Sequence, residues 1–281
     1  MPEPLDALND ATPGAFAAAL DGVFEHAPWV AERAAHRRPF ATIAALHAAL
    51  MEAVRSAEEP EIVAFLGAHP ELVASKLPDD LTAASRAEQS ALGLAAAPDA
   101  AALPDLNRAY RDRFGFPFIV CVARHTAQDV LRTLQSRLGR GRDEEREAAL
   151  AEVERISLLR LLARVSGPGA PVVAGHFSSH VLDLHAGRPA QGLAVVLLQE
   201  GRHVAEGATD ADGRIGDLLP PGPLRQGRYE LQFDVSAYFA TRGVATFYDR
   251  VPVRFAIDAA EARYHIPLLL APYGYSTYRG S

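Results

Sequence analysis

The sequence predicts a multidomain protein, an all-α helical bundle followed by an all-β sandwich, and three observations carry that expectation. From about residue 13 to 165 apolar residues recur at spacings of three and four in a stretch rich in Ala, Leu, Arg and Glu. Beyond about residue 176 they come instead in short β-rich runs punctuated by Gly, Pro and Asp. Between them SGPGAPVVAG, residues 166–175, holds two prolines and three glycines with no periodicity, which is linker chemistry. The division is a helical domain over 1–166, a linker over 167–175 and a sandwich over 176–281.

In the helical part, Phe16, Leu20, Val23 and Phe24 mark one apolar face, and Leu150, Val153 and Ile156 another. Pro60, Pro70, Pro78, Pro98 and Pro104 fall between the periodic stretches, where proline begins or ends a helix. Ser85-Arg86-Ala87-Glu88 has the form of a capping box, with the Ser85 side chain accepting from the helix start and Glu88 reaching back. RLGRGRDEERE, residues 137–147, mixes both charges at helical spacing and reads as a solvated turn and helix start. Arg160 shares a helix face with Val153 and Ile156 inside ISLLRLLARV, so its guanidinium is aimed at an apolar interior. A buried charge without a partner is costly, so Arg160 requires a counter-ion or an anionic ligand.

In the second part, strands are expected at His180–Leu184, 193–199, 229–235, 251–257 and 264–270, separated by AGRPAQG, DADGR and PPGPLRQG, with a short helix over 235–242. Alternation puts His180, Leu182 and Leu184 on one face of their strand, and His265, Pro267 and Leu269 opposite Tyr264, Ile266, Leu268 and Leu270. Two histidines therefore project from strand faces. The chain then runs out in YGYSTYRGS, where a phenol, a guanidinium, a glycine and a hydroxyl follow the apolar 266–270 run. Such a tail either frays or belongs to a site.

Composition narrows the function classes. Over 281 residues, a 49% hydrophobic share fits a globular protein, and a net charge of −7 argues against nucleic acid or an anionic membrane as partner. Local arginines suit a small anionic ligand. The single cysteine, Cys121, lies within FPFIVCVA, which excludes an internal disulfide and a Cys-based zinc cluster and reads as a buried thiol. An acidic N-terminus and the absence of a run of ~18 apolar residues point to a cytoplasmic protein. No third ligand accompanies the two strand histidines at metal spacing, so no metal and no cofactor are expected.

SSHVLDLHAGRPAQGL, TDADGRI, the YFATRG…FY stretch and YHIPLLLAPYGYSTYRGS together resemble 5-hydroxyisourate hydrolase, the enzymatic branch of the transthyretin family, over the whole of 176–281. The resemblance implies a transthyretin-like sandwich in a homotetramer. It places His180, Arg214, His265, Tyr278 and Ser281 as catalytic groups, with Arg279 and Gly280 binding substrate, in a channel between subunits. Where that family commonly has His-Tyr-His, this chain has Arg263-Tyr264-His265.

APWVAERAAHRRPF, LGAHPELV, LTAASRAEQSALGL, FGFPFIVCVAR and ALAEVERISLLRLLARV resemble OHCU (2-oxo-4-hydroxy-4-carboxy-5-ureidoimidazoline) decarboxylase over about 13–165. This resemblance implies a catalytic His69 assisted by Glu88, with Arg160 binding the substrate carboxylate. It also implies a pocket of Pro70, Ser85, Arg86, Ala87 and Gln89 with Ile119, Val120, Cys121, Val122 and Ala123. The Asn usual in the loop after Arg137-Leu138 is missing from GRGRDEE. The two resemblances name consecutive steps of urate degradation, ending in (S)-allantoin. The competing expectation is a transthyretin-like small-anion-binding or scaffold protein whose helical half is an interaction module.

Overall fold

The computed structural model describes residues 2–73, 77, 81–97, 99–216, 218–219 and 222–280. The chain divides into two compact units, one ending at Val172 and the other beginning at Val173. The 166–175 segment is shared between them: the carbonyls of Pro168 and Gly169 accept from the Ile43 and Ala44 amides of the first unit, while the Gly175 amide donates to Gly222 in the second.

The first unit packs α1 (Leu5–Asp10), α2 (Pro13–Ala19), α3 (Pro28–Ala35), α4 (Ile43–Arg55), α5 (Glu59–Gly67), α6 (Ala83–Leu92), α7 (Leu103–Phe114), α8 (Ala127–Arg137) and α9 (Arg142–Arg164) around one apolar core. A short parallel pairing of β1 (Glu3–Pro4) with β2 (Val165–Ser166) brings its two ends together. Pro60 and Pro104 start α5 and α7 as expected, at positions where the missing N–H costs nothing. Pro78 and Pro98 lie outside the described residues.

Three local expectations need correction. The apolar series from Phe16 to Phe24 is not one helix: α2 stops at Ala19, and Val23 and Phe24 are buried from the segment after it, where Gly22 takes a positive φ of 76°. The cap of α6 is Thr82, whose hydroxyl accepts from the Ser85 amide at 3.2 Å. Ser85 is therefore already inside the helix and Glu88 sits a turn further on, free of any capping task. The 137–147 stretch is not wholly solvated. Arg137 and Glu145 are both buried, with Nε donating to Oε1 at 2.7 Å and Nη1 donating to the Ile119 carbonyl at 2.9 Å, and Tyr110 donates to the same carboxylate. Helical spacing could not reveal this, because the partners are supplied by other elements of the fold.

The second unit is a two-layer sandwich. One sheet runs β11 (Gly274–Thr277), β10 (Arg263–Ala271), β3 (His176–Asp183) and β4 (Arg188–Pro189), with β7 (Arg214–Ile215) also pairing β3. The other runs β6 (Arg202–Ala208), β5 (Ala194–Gln199), β8 (Gly227–Asp234) and β9 (Arg250–Ile257). Helix α10 (Val235–Ala240) follows β8, capped by Asp234. Inward residues alternate as the pattern requires: Phe177, Val181, Leu197, Leu231, Phe233, Val253, Ile266 and Leu268 are all buried. β6 was not among the expected strands because RHVAEGA has no apolar face; it is an edge strand, exposed along nearly its whole length.

Candidate active sites

In the helical unit, α5 ends at Gly67 and delivers His69 from the turn that follows, with the imidazole buried and edge-on to Phe65 at 5.3 Å between centroids. Its Nδ1 lies 3.1 Å from the Phe65 carbonyl, an acceptor only, so Nδ1 carries the proton and Nε2 keeps its lone pair. Burial pushes the His69 pKa down to about 4, with the Arg160 charge adding to the effect and the Phe65 carbonyl and Glu25 opposing it. His69 is thus a neutral imidazole at pH 7.

His69, Pro70, Ser85, Glu88, Gln89, Ile119, Val120, Val122 and Arg160 line a cavity of about 40 Å³, together with Leu72, Phe118 and Ile156. Arg86, Ala87, Cys121 and Ala123 do not line it. On α6 the 3.6-residue period turns Ser85, Glu88 and Gln89 to one side and leaves Ala87 exposed on the other. Cys121 is buried, burial pushes its thiol up to about 12, and its amide donates to Glu152 at 2.8 Å. It has no nucleophilic character at neutral pH. Gln89 anchors the neighbouring segment: its Oε1 accepts from the Val73 amide at 3.2 Å and its Nε2 donates to the Glu71 carbonyl at 3.0 Å.

Arg160, projecting from α9, has the counter-charge that its burial demands, and has it twice. Nε and Nη2 each donate to one oxygen of Glu88, both at 2.8 Å, and Nη1 donates to Glu25 Oε2 at 2.9 Å. Nη2 also donates to the Ser85 hydroxyl at 3.0 Å, and that hydroxyl donates to Glu25 Oε2 at 2.8 Å. Burial pushes the Glu25 carboxyl up, but hydrogen bonds from Arg160 and Ser85 and the Arg160 charge outweigh it and hold the group below the ordinary range. Glu25 was not among the expected site residues. Its signal was there to read, an isolated acid within GVFEHAPWV that mirrors the isolated base of the leucine-rich α9.

In the sandwich, β3 and β10 run parallel with Arg263 beside His176, His265 beside Ser178 and Pro267 beside His180. β7 then sets Arg214 directly across from His180. The DGR turn makes that approach possible. Gly213 has φ of 72°, its carbonyl accepts from the Val181 amide at 2.8 Å, and a Cβ there would overlap the Val181 carbonyl oxygen. Asp210 locks the turn, its Oδ1 accepting from the Asp212 and Arg214 amides at 2.9 and 2.8 Å.

His180 Nε2 is buried without a hydrogen-bond partner among the described residues. His265 Nδ1 pairs with the Ser178 hydroxyl at 2.9 Å, which leaves Nε2 to act. Burial lowers the His265 pKa, and the nearby Arg214, His180 and His176 lower it further against an opposing bond to the Ser178 backbone. Ser178 was absent from the expected site, although strand alternation from His180 would have placed it on the same face.

The tail does not fray. The Gly280 amide donates to the His265 carbonyl at 2.8 Å, and a Cβ on Gly280 would overlap His265 Cδ2 and stand 3.1 Å from Cγ. The tail backbone therefore lies against the imidazole. Tyr278 and Arg279 are exposed; they border a cleft of about 270 Å³ together with His265, Tyr264 and Asp258, and the Arg279 guanidinium is 5.4 Å from the Tyr264 ring centroid. Ser281 lies outside the described residues. No group of three or more His, Cys, Asp or Glu among the described residues is arranged to hold a metal ion.

Comparison with known proteins follows the same division. The OHCU decarboxylase family profile matches residues 9–162, and the HIUase/transthyretin family profile matches 177–280. The 5-hydroxyisourate hydrolase of Salmonella dublin is 42% identical over 42% of this chain and 90% of its own length, and that of Mus musculus is 41% identical over 37% and 93%. The crystal structure of an (S)-allantoin synthase aligns over 99% of this chain and 100% of its own, with 32% identity and a TM-score of 0.52.

Proposed function

The chain belongs to the OHCU decarboxylase family through residues 9–162 and to the HIUase/transthyretin family through residues 177–280, and we propose from that premise how its two sites divide the work. It is a bifunctional enzyme of urate degradation: the sandwich hydrolyses 5-hydroxyisourate to OHCU, and the helical unit decarboxylates OHCU to allantoin. The observation that carries this reading is the full-length likeness to an (S)-allantoin synthase, since each half alone would account for one step only.

In the hydrolase step a water attacks a ring carbonyl, which needs a base for its proton and positive groups for the developing oxyanion. Neutral His265, with Nδ1 engaged by Ser178, serves as that base through Nε2. Arg214 and His180 Nε2, which has no hydrogen-bond partner among the described residues, meet the anionic ring and the oxyanion. In the decarboxylase step the electron pair released with CO₂ delocalises into the adjoining imidazolone nitrogen and carbonyl, so no cofactor is needed. Arg160 holds the departing carboxylate, and His69 with Glu88 manages the protons on one ring face, which gives the S product.

Generating 5-hydroxyisourate with uricase and following its ultraviolet decay in the presence of the protein tests both steps. Fast decay, then allantoin of one handedness, is expected; decay at the spontaneous rate would leave a binding protein instead. Within this reading Arg160→Lys lowers decarboxylation by about 10–100-fold while the fold survives, because a point charge cannot reproduce the two-pronged grip of a guanidinium. Native turnover and KM in that variant would remove Arg160 from substrate contact.

The sandwich also supports self-association. Among the described residues β11 ends its sheet with one edge unpaired, and Phe247, Tyr273 and Tyr275 are exposed nearby. We expect a homotetramer, and light scattering should give about four times the 30.1 kDa chain mass. No described helix is long and apolar enough to cross a membrane. A cytoplasmic location is expected and is checked by cell fractionation.

A further inference from the structure

Two carboxylates share one guanidinium in the helical cavity, and they are not equivalent. Glu25 is 1% exposed and does not line the cavity. With the Ser85 hydroxyl it closes a ring of hydrogen bonds of 2.8 to 3.0 Å on the Nη1 and Nη2 side of Arg160. Glu88 is different. Its side chain is 32% exposed, it lines the cavity, and it covers the Nε–Nη2 edge with a two-pronged grip. That grip is the one a substrate carboxylate would make on a guanidinium. Both anions cannot occupy the edge together. The cavity left while Glu88 lies there is about 40 Å³, space for a few water molecules and not for a ureidoimidazoline.

We propose that Glu88 is the resident occupant of the substrate's carboxylate subsite, that the entering carboxylate displaces it, and that Glu25 is the positioning residue that keeps Arg160 in place during the exchange. The inference rests on the decarboxylase reading of this site and deepens it.

Displacement gives Glu88 a new task. Taken off Arg160, the Glu88 carboxylate stays in the cavity beside the ring and carries in a proton from solvent. His69 cannot be the donor in its place, since its imidazole is already neutral at pH 7. The step then balances. The bond between the hydroxyl-bearing ring carbon and the carboxylate breaks, CO₂ leaves, the pair passes into the adjoining C=N, and the hydroxyl becomes a carbonyl as its proton passes through His69 Nε2 to that ring nitrogen. The Glu88 O–H bond breaks, its proton forms the new ring C–H bond, and Glu88 is again a carboxylate. The product has lost the group that competed for Arg160, so Glu88 returns to the Nε–Nη2 edge and closes the subsite behind it. Binding, acid generation and release follow from one exchange.

The test uses the full chain and hydantoin-5-acetate, a cyclic ureide whose carboxylate has no equivalent route to CO₂, with affinities from titration calorimetry. Glu88→Gln removes the internal competitor and leaves the Glu25–Ser85–Arg160 ring intact. It should bind the probe about tenfold more tightly than the native chain, as expected if the native subsite is open about a tenth of the time. The same variant should lose decarboxylation by at least about 100-fold while hydrolysis continues. Glu25→Gln should weaken probe binding about tenfold and raise KM more than it lowers kcat, with Glu25→Asp restoring most of both. Probe affinity in Glu88→Gln equal to or below native, absence of binding included, overturns the exchange. Unchanged affinity in a folded Glu25→Gln removes Glu25 from its role. A native chain that forms no allantoin above the spontaneous rate would sink the decarboxylase reading itself, a separate outcome from either.

Discussion

His69→Ala leaves hydrolysis of 5-hydroxyisourate at its native rate and lowers enzymatic decarboxylation by ~10²–10⁴-fold, the usual cost of losing a positioned acid–base group. The separation follows from placement, because His69 and the hydrolase residues belong to different compact units. The size of the loss follows from how the imidazole is held. Nδ1–H is committed to the Phe65 carbonyl and the ring packs edge-on against Phe65, so Nε2 has a fixed direction and a free lone pair. With its pKa pushed down to about 4, His69 stays unprotonated through the neutral range. Its limb of the decarboxylase pH–rate profile therefore lies near pH 4, where protonation removes the base, and not near the ordinary histidine value. In the variant OHCU accumulates and decays slowly, visible in the ultraviolet trace as a second, unaccelerated phase. Optically pure allantoin formed at the native rate would take His69 out of the proton transfers.

Much of the fold was legible because two periods differ so plainly. The change from spacings of three and four to alternation marked the two units, and residues such as Val153 and Leu268 announced their burial by position. What stayed hidden depended on partners that are distant in sequence. Arg137 and Glu145 look like surface charges until Ile119 and Tyr110 are brought to them. Arg160 was legible as a buried cation, but its partners were not, because Glu25 is separated from it by 135 residues. Glu88 looked like a helix cap for want of knowing that Thr82 already filled that place. Most residues expected around each site came from resemblance; Glu25, Ile156 and Ser178 left only positional signals in the sequence, and Leu72 and Phe118 emerge only from the packing.

Deleting Tyr278 to Ser281 abolishes or severely reduces hydrolysis while decarboxylation stays close to native. The tail adds no strand to the sandwich core, since β11 ends at Thr277, so the truncated chain keeps its fold. Two supports of His265 go. One is the bond from the Gly280 amide to the His265 carbonyl at 2.8 Å, and the other is the Gly280 backbone against the imidazole itself. With that wall gone the ring keeps the Ser178 hydroxyl at Nδ1 as its side-chain hydrogen-bond partner among the described residues, and the direction of Nε2 is no longer fixed. A misplacement of about 1 Å at a reacting group costs ~10²-fold, and losing the Tyr278 and Arg279 side chains adds to it. Gly280→Ala isolates the steric part, because every tail group remains and only a Cβ is added where His265 Cδ2 already lies. That variant should lose hydrolysis by about 100-fold with KM little changed, the sign of a displaced base and not of weakened substrate binding. A C-terminal affinity tag, compared with an N-terminal one, gives a graded form of the same perturbation. If the truncated protein hydrolysed 5-hydroxyisourate as fast as the intact chain, the ordered tail would be packing without function, and His265 would need no support from it.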